Sequence, residues 1–203
     1  FQPAVPCPPM DTDPDADASD DLRWETTESA VDYTCPGFDV RRDEVTLPDG
    51  TETDYHYVDE PPAVVVLPFT PEGDVVVVDE WRQAVGRINR GLPAGSMEDG
   101  DDDVAAAARR ELAEETGYEA DAVAPLCTVE PANGVANSVH HHVVARGCRP
   151  TAERNLDFNE SIHVDTADYD DLLAAALDGD LRDGRAVLAL SQYELRQAVG
   201  TAP

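Results

Sequence analysis

Three glutamates in this sequence stand at a spacing that can do chemistry. Glu111, Glu114 and Glu115 fall at i, i+3 and i+4. At ~100° per residue of an α-helix, such positions share one stripe of one face. Like charges so placed repel by roughly a few tenths of a kcal/mol per pair in water, and by more when partly buried. A cation would offset that repulsion. Hard oxygen donors beside a glycine-rich loop, here Gly91-Leu92-Pro93-Ala94-Gly95, are what Mg²⁺ or Mn²⁺ uses to hold a phosphate group. The spacing alone is equally that of a solvated face in a chain acidic throughout.

Acidic it is. The 203 residues carry 43 Asp and Glu against 14 Arg and no Lys, a formal net charge of -29. Without Lys there is no Walker A phosphate loop and no lysine Schiff base. A field this negative repels phosphate backbones, which argues against nucleic acid as a partner. No apolar run approaches the ~20 residues that cross a bilayer, and residues 1–9 have neither the charged nor the apolar part of a signal peptide. The sequence therefore predicts a cytoplasmic protein without a membrane partner. Asp-rich, Lys-poor and Ile-poor (only Ile88 and Ile162), its composition resembles that of proteins from salt-in halophilic archaea. The four cysteines, Cys7, Cys35, Cys127 and Cys148, are too far apart for a zinc site or a disulfide framework and read as reduced thiols.

The elements that must position the glutamates can be read around them. Residues 1–22 read as a flexible acidic arm. Short strands are expected at 26–34, 38–47 and 51–59, the last entered through the turn Pro48-Asp49-Gly50. The valine runs 63–67 and 74–78 suit central strands covered on both faces. A helix is expected from Val104, behind the acids 101–103 that favour its N-terminus, through five alanines to Gly117 at its C-cap. Strands at about 122–130 and 138–146 and helices at 168–178 and 184–199 complete the chain. This order implies an α/β (α+β) fold with a mixed sheet between helical layers. His140-His141-His142 lies on a strand, where only His140 and His142 share a face, and reads as structural.

The string from Gly95 to Tyr118, GSMEDGDDDVAAAARRELAEETGY, closely resembles the Nudix box: Gly, five residues, Glu, seven residues, then R-E-U-x-E-E-x-G-U with U apolar. Residues 110–118 match the second half. In the first half the family's leading Glu falls on Asp102, and Gly95 stands one residue too far upstream. The resemblance covers about residues 26–199. Within the superfamily the chain looks most like the ADP-ribose pyrophosphatases, on Leu92-Pro93-Ala94-Gly95, on Trp81-Arg82-Gln83-Ala84 and on Leu47-Pro48-Asp49-Gly50. Two positions depart from that type: Gly91 replaces a common Glu, and Pro131 comes two residues before the expected place at Asn133.

That resemblance implies a Nudix-type α/β/α sandwich over 61–203, with an N-terminal antiparallel β-arm over 23–60 that joins two copies as a homodimer. It implies Mg²⁺ (or Mn²⁺) held by Glu111, Glu115 and the Ala94 carbonyl with Glu114 assisting, and Arg110 orienting the glutamates. It further implies Arg82 on substrate phosphate and Glu160, in a downstream loop, as the residue that activates water. Trp24, Tyr33 or Phe38 would stack an adenine. The substrate implied is a small nucleoside diphosphate derivative, above all ADP-ribose. Another nucleoside diphosphate sugar, a dinucleotide, and a Nudix-like module that binds without turnover are the alternatives.

Overall fold

The computed structural model describes residues 22–156 and 161–203. The described residues divide into two compact units, 22–61 with 130–139, and 62–129 with 140–156 and 161–203. The first holds a meander of β1 (Glu25–Cys35), β2 (Phe38–Thr46) and β3 (Glu52–Asp59), antiparallel in the order β1-β2-β3. Its turn at Gly50 has φ +83°, which only glycine adopts without strain. The segment 130–139 is tied to β3. Val58 and Ala136 form a parallel bridge, and the Asn137 side-chain amide donates to Asp59 at 2.6 Å.

The second unit is built on β4 (Ala63–Phe69) and β5 (Val75–Arg82), joined by a hairpin. After it come β6 (Arg87–Gly91), β7 (Ala94–Ser96), α1 (Val104–Thr116), the short β8 (Tyr118–Glu119), β9 (Ala122–Val129), β10 (His140–Arg146) and β11 (Arg149–Pro150). β12 (Ile162–Ala167), α2 (Tyr169–Asp178) and α3 (Gly184–Ala198) end the chain. The sheet order is β12-β5-β4-β10-β9, with β4 and β10 parallel and the other pairs antiparallel. It is a mixed sheet, as the element order implies.

Burial on both faces of β4 explains its unbroken apolar run. Val64 and Val66 pack with Ala107, Ala108 and Leu112 of α1, whereas Val65 and Leu67 pack with Leu172, Ala189 and Leu190 of α2 and α3. The unit is thus an α/β/α sandwich. The helix ends are chemically marked. Asp103, Asp168 and Asp183 each cap a helix by accepting backbone N–H groups, and Gly117 closes α1 in the left-handed region at φ +76°.

Five strands depart from the sequence expectation, two of them the two-residue β8 and β11. β6, β7 and β12 occupy segments with no valine run and no sustained alternation, and their pairing is imposed by neighbours. β4 and β5 stay paired only at Phe69 and Val75 and then separate. β6 pairs with the end of β5 and β7 with the start of β4, so the loop Leu92–Pro93 lies between them. β5 also runs four residues beyond its valines, to Arg82. The opening between β4 and β5 is where the functional residues gather.

Candidate active site

The buried stripe of α1 changes character along its length. Its first half is Ala107 and Ala108, small enough to bring the helix close to the sheet; its second half is Glu111 and Glu115, which flank Leu112. Both carboxylates are inward, at 8% and 4% exposure. Burial of two acids is costly unless each is paired or hydrogen-bonded. Glu115 accepts a hydrogen bond from the Ala94 amide at 3.1 Å, and Glu111 accepts one from Arg110 at 2.7 Å. Gly95 faces Glu111 so closely that a Cβ there would overlap its carboxylate. A side chain here would displace that carboxylate, so what glycine gives is room for Glu111 and not a special backbone angle.

Arg110 is the hub. Beyond Glu111 it reaches Glu114 at 3.0 Å and the Ser96 carbonyl at 2.9 Å, and it forms a two-pronged pair with Asp101 at 3.1 and 2.9 Å. These partners raise the Arg110 pKa, Asp101 most of all, and Arg110 in turn holds the Asp101 carboxyl below its usual range. The Glu98 amide also donates to Asp101 at 2.9 Å. The carboxylate that pairs with Arg110 is thus Asp101, the neighbour of the Asp102 to which counting from the box leads. Asp102 is exposed, and the extra loop residue is absorbed by a one-residue shift.

The remaining predicted residues are only partly brought together. The contact Ala94 makes with a glutamate runs through its amide, where the carbonyl was expected to serve a metal. Among the described residues, no three His, Cys, Asp or Glu side chains close on one point as an ion would require. The glutamates are turned instead to Arg110 and to the Ala94 amide. Their type still fits a hard divalent cation: oxygen donors, two of them buried, beside a glycine that leaves them room. Arg82 pairs with Glu80 at 2.7 Å at the end of β5. Alternation along β5 puts both on the α1 face with Val76.

Glu80, 8% exposed, is a residue the sequence reading missed. Its signal was available: a carboxylate continuing the inward alternation after Val76 and Val78. Glu160 lies outside the described residues.

The histidines behave as structure. His142 is 1% exposed on β10, and neither of its ring nitrogens has a hydrogen-bond partner among the described residues. Burial, with His140 and Arg185 nearby, lowers its pKa to about 4. Cys35, Cys127 and Cys148 are free thiols, and burial pushes the Cys148 thiol up to about 11.

The aromatic side chains of the first unit fall into two groups. Tyr55 and Tyr57, with Glu130, Asn133, Ala136 and Asn137, line a cleft of about 310 Å³. Trp24 meets Tyr55 edge-on at 5.9 Å, so its ring is engaged, while Tyr33 and Phe38 lie on the exposed face of β1 and β2. Tyrosines paired on alternate positions of β3 were not singled out from the sequence.

The pattern of the NUDIX domain matches residues 59–189, well over half of the chain. The chain belongs to the Nudix family. Its relatives include the methanol dehydrogenase activator of Bacillus methanolicus, 30% identical over 158 residues that cover 77% of this chain and 85% of that protein. The ADP-ribose pyrophosphatase of Bacillus subtilis (strain 168) is 30% identical over 162 residues, 79% of this chain and 87% of the relative. That of Mycobacterium tuberculosis is 29% identical, covering 68% and 67%. The Nudix architecture also superposes on a crystal structure of an ADP compounds hydrolase with a TM-score of 0.75, at 21% identity, over 89% of this chain and 97% of that one. At that identity the likeness is one of fold.

Proposed function

We propose that the protein is a metal-dependent Nudix hydrolase that cleaves the pyrophosphate bond of a nucleoside diphosphate joined to another group, converting ADP-ribose and water to AMP and ribose 5-phosphate. The observation that carries this reading is the pair of buried carboxylates, Glu111 and Glu115, gathered beside Gly95 with Arg110 between Asp101 and the glutamates. Two relatives named ADP-ribose pyrophosphatases, aligned over most of their length, support the substrate.

Glu111, Glu114, Glu115 and the Ala94 carbonyl would hold Mg²⁺ or Mn²⁺. When bound, the ion neutralises phosphoryl charge and polarises the phosphorus centre. Arg110 offsets the mutual repulsion of Glu111 and Glu114 and fixes their orientation by pairing with both at once. Arg82 would exchange part of its pairing with Glu80 for a substrate phosphate. Water adds to one phosphorus as the bridging P–O bond breaks, and its proton passes to a carboxylate, for which Glu160 is the candidate.

Trp24, Val31, Tyr33 and Phe38, exposed on the three-stranded sheet, support a homodimer through that sheet. Among the described residues no helix is long and apolar enough to cross a membrane, in keeping with a cytoplasmic enzyme.

The test is incubation with ADP-ribose, GDP-mannose, NADH and dinucleoside polyphosphates in molar KCl and Mg²⁺, with products separated by ion exchange. AMP and ribose 5-phosphate, formed mainly from ADP-ribose, are expected. Preferred cleavage of another member of the panel would move the substrate. No cleavage of any by folded protein, with Mg²⁺ or Mn²⁺, would leave a nucleotide-binding module.

A further inference from the structure

The C-terminal end of α1 carries Glu114 and Glu115, and its last carbonyls need partners that the helix cannot supply. The segment that follows β11 supplies them. The Asn155 amide donates to the Glu114 carbonyl at 3.0 Å and the Ala152 amide to that of Gly117 at 3.0 Å. Arg154 donates through Nε to the Glu115 carbonyl at 2.8 Å. Its contact with the helix end is close: a Cβ on Gly117 would lie 3.0 Å from the Ala152 oxygen and 3.3 Å from Arg154 Cγ. Gly117 therefore serves twice, as the left-handed cap and as the floor under this segment.

The other prong of the same guanidinium points elsewhere. Arg154 Nη2 donates to the carbonyl of Ile162 at 2.8 Å, at the start of β12. Ile162 is the register partner of Glu80 on β5. One planar cation thus bridges the backbone of Glu115 to the residue beside Glu80, and Glu80 in turn holds Arg82. The two elements that carry the buried acids, helix and strand, are thereby tied through one side chain. Hydrogen bonds from a charged donor are among the stronger ones, and a positive charge at a helix C-terminus also suits its dipole.

We propose that Arg154 is a positioning residue that sets the distance between the metal-holding end of α1 and the phosphate-holding end of β5. The proposal rests on the hydrolase reading above. Arg154 touches no reacting atom; it acts through the backbones of Glu115 and Ile162. A lysine cannot replace it, because an ammonium is a point charge on a flexible stem and lacks the planar fork that meets two carbonyls at once.

The experiment compares the full-length wild type with Arg154→Ala and Arg154→Lys. Three quantities are read: Mn²⁺ affinity from the electron paramagnetic resonance signal of the free ion, kcat and KM for ADP-ribose, and the melting temperature. Arg154→Ala is expected to weaken Mn²⁺ binding and lower kcat, each by about 10–100-fold, as loss of a group supporting metal ligands typically does. Arg154→Lys should recover the melting temperature through its charge but neither Mn²⁺ affinity nor kcat. Wild-type Mn²⁺ affinity and kcat in Arg154→Ala, with only a lower melting temperature, would overturn the proposal and leave a structural cap. Full recovery by Arg154→Lys would overturn it as well, since one donor would then suffice. If the wild type itself neither binds Mn²⁺ nor cleaves any substrate of the panel, the hydrolase reading fails and takes this proposal with it.

Discussion

The molecule contains two sheets made on different terms. β4 of the seven-stranded sheet is buried over six of its seven residues, whereas β1 of the three-stranded sheet is exposed at nine of eleven. Around β4 the stabilising contribution is apolar area removed from water, on the order of 25 cal/mol per Å². Around β1 and β2 it is a set of polar pairs: across strands, Arg41 with Asp59 at 2.6 Å, Arg42 with Asp32 and His56 with Asp32, and along β2, Arg42 with Glu44. Exposed pairs of this kind contribute about 0–1 kcal/mol each. The difference teaches where the chain tolerates charge. The covered sheet admits a few buried carboxylates and gives each a specific partner; the open sheet takes acids freely and leaves apolar side chains in water.

If the buried acids of the covered sheet are its function, removing one should have the largest effect of any single change. Glu115→Gln keeps shape and can still accept from the Ala94 amide, so the fold should survive. Turnover of ADP-ribose should fall on the order of 10³-fold, as expected when a ligand of a charge-stabilising centre is lost. Steady-state kinetics check this, and near wild-type turnover would detach the cluster from the chemistry.

The next effect is in packing. Leu112 is fully buried between the two glutamates and contacts the sheet through Val64 and Val66. Leu112→Ala should destabilise the protein by about 2–5 kcal/mol, the range for a large-to-small change in a close-packed core. Urea unfolding measures it. A cost below about 1 kcal/mol would mean that α1 is not held by this face.

Much of the covered sheet was legible beforehand because its signals are local. The valine runs, the alanine-rich helix with an aspartate before it and a glycine behind it, and the R-E-L-A-E-E string need no tertiary information. β6, β7 and β12 were not legible, because their pairing is borrowed from β5 and β4. Asp101 was hidden for a related reason. A motif counts residues, whereas Arg110 selects whichever carboxylate the loop presents, and here the loop is longer by one. Glu80 was legible by alternation from Val76 and Val78, and was passed over because the strand reads as ending with the valines. In the open sheet the strands were visible by Val, Tyr, Phe and Thr among polar residues and by the turn Pro48-Asp49-Gly50, but Tyr55 and Tyr57 were not distinguishable from other aromatics without the cleft that 130–139 completes.

His142 tests the covered sheet by pH. Its folded pKa is lowered to about 4 from an ordinary 6.5 by burial, so its neutral form stabilises the fold. That contribution is fully present above about pH 6.5 and is lost as pH falls towards about 4. Between pH 7 and 5 the loss should be about 2 kcal/mol. Carboxylates elsewhere also titrate as the pH falls, so the measure is the difference between wild type and His142→Leu in urea at both pH values. Equal losses in the two proteins would show that the imidazole is solvated.

Adjacent acids with unequal surroundings give a finer test. Asp101→Asn removes the charge that pairs with Arg110, and kcat should fall about 10–100-fold, with Mn²⁺ affinity falling alongside. Asp102→Asn, at an exposed position, should stay within about twofold of wild type. The reverse order would return the motif's leading role to Asp102 and refute the one-residue shift.

The smallest effect belongs to the open sheet, and it separates stability from assembly. Tyr33 is 58% exposed on β1, with Val31 nearby on the same strand. Tyr33→Ser removes a side chain that buries little within its own chain, so the unfolding free energy of the monomer should change by less than about 0.5 kcal/mol. If a second copy covers this face, the same substitution should weaken the dimer at least tenfold, because a large aromatic that becomes buried only on association contributes there and not to folding. Analytical ultracentrifugation across a dilution series, beside urea unfolding of the same samples, reads both quantities. A dimer of unchanged affinity would leave these aromatics exposed in the assembled protein and move the interface elsewhere. A large loss of monomer stability would instead mean that this sheet, like its covered counterpart, depends on apolar burial.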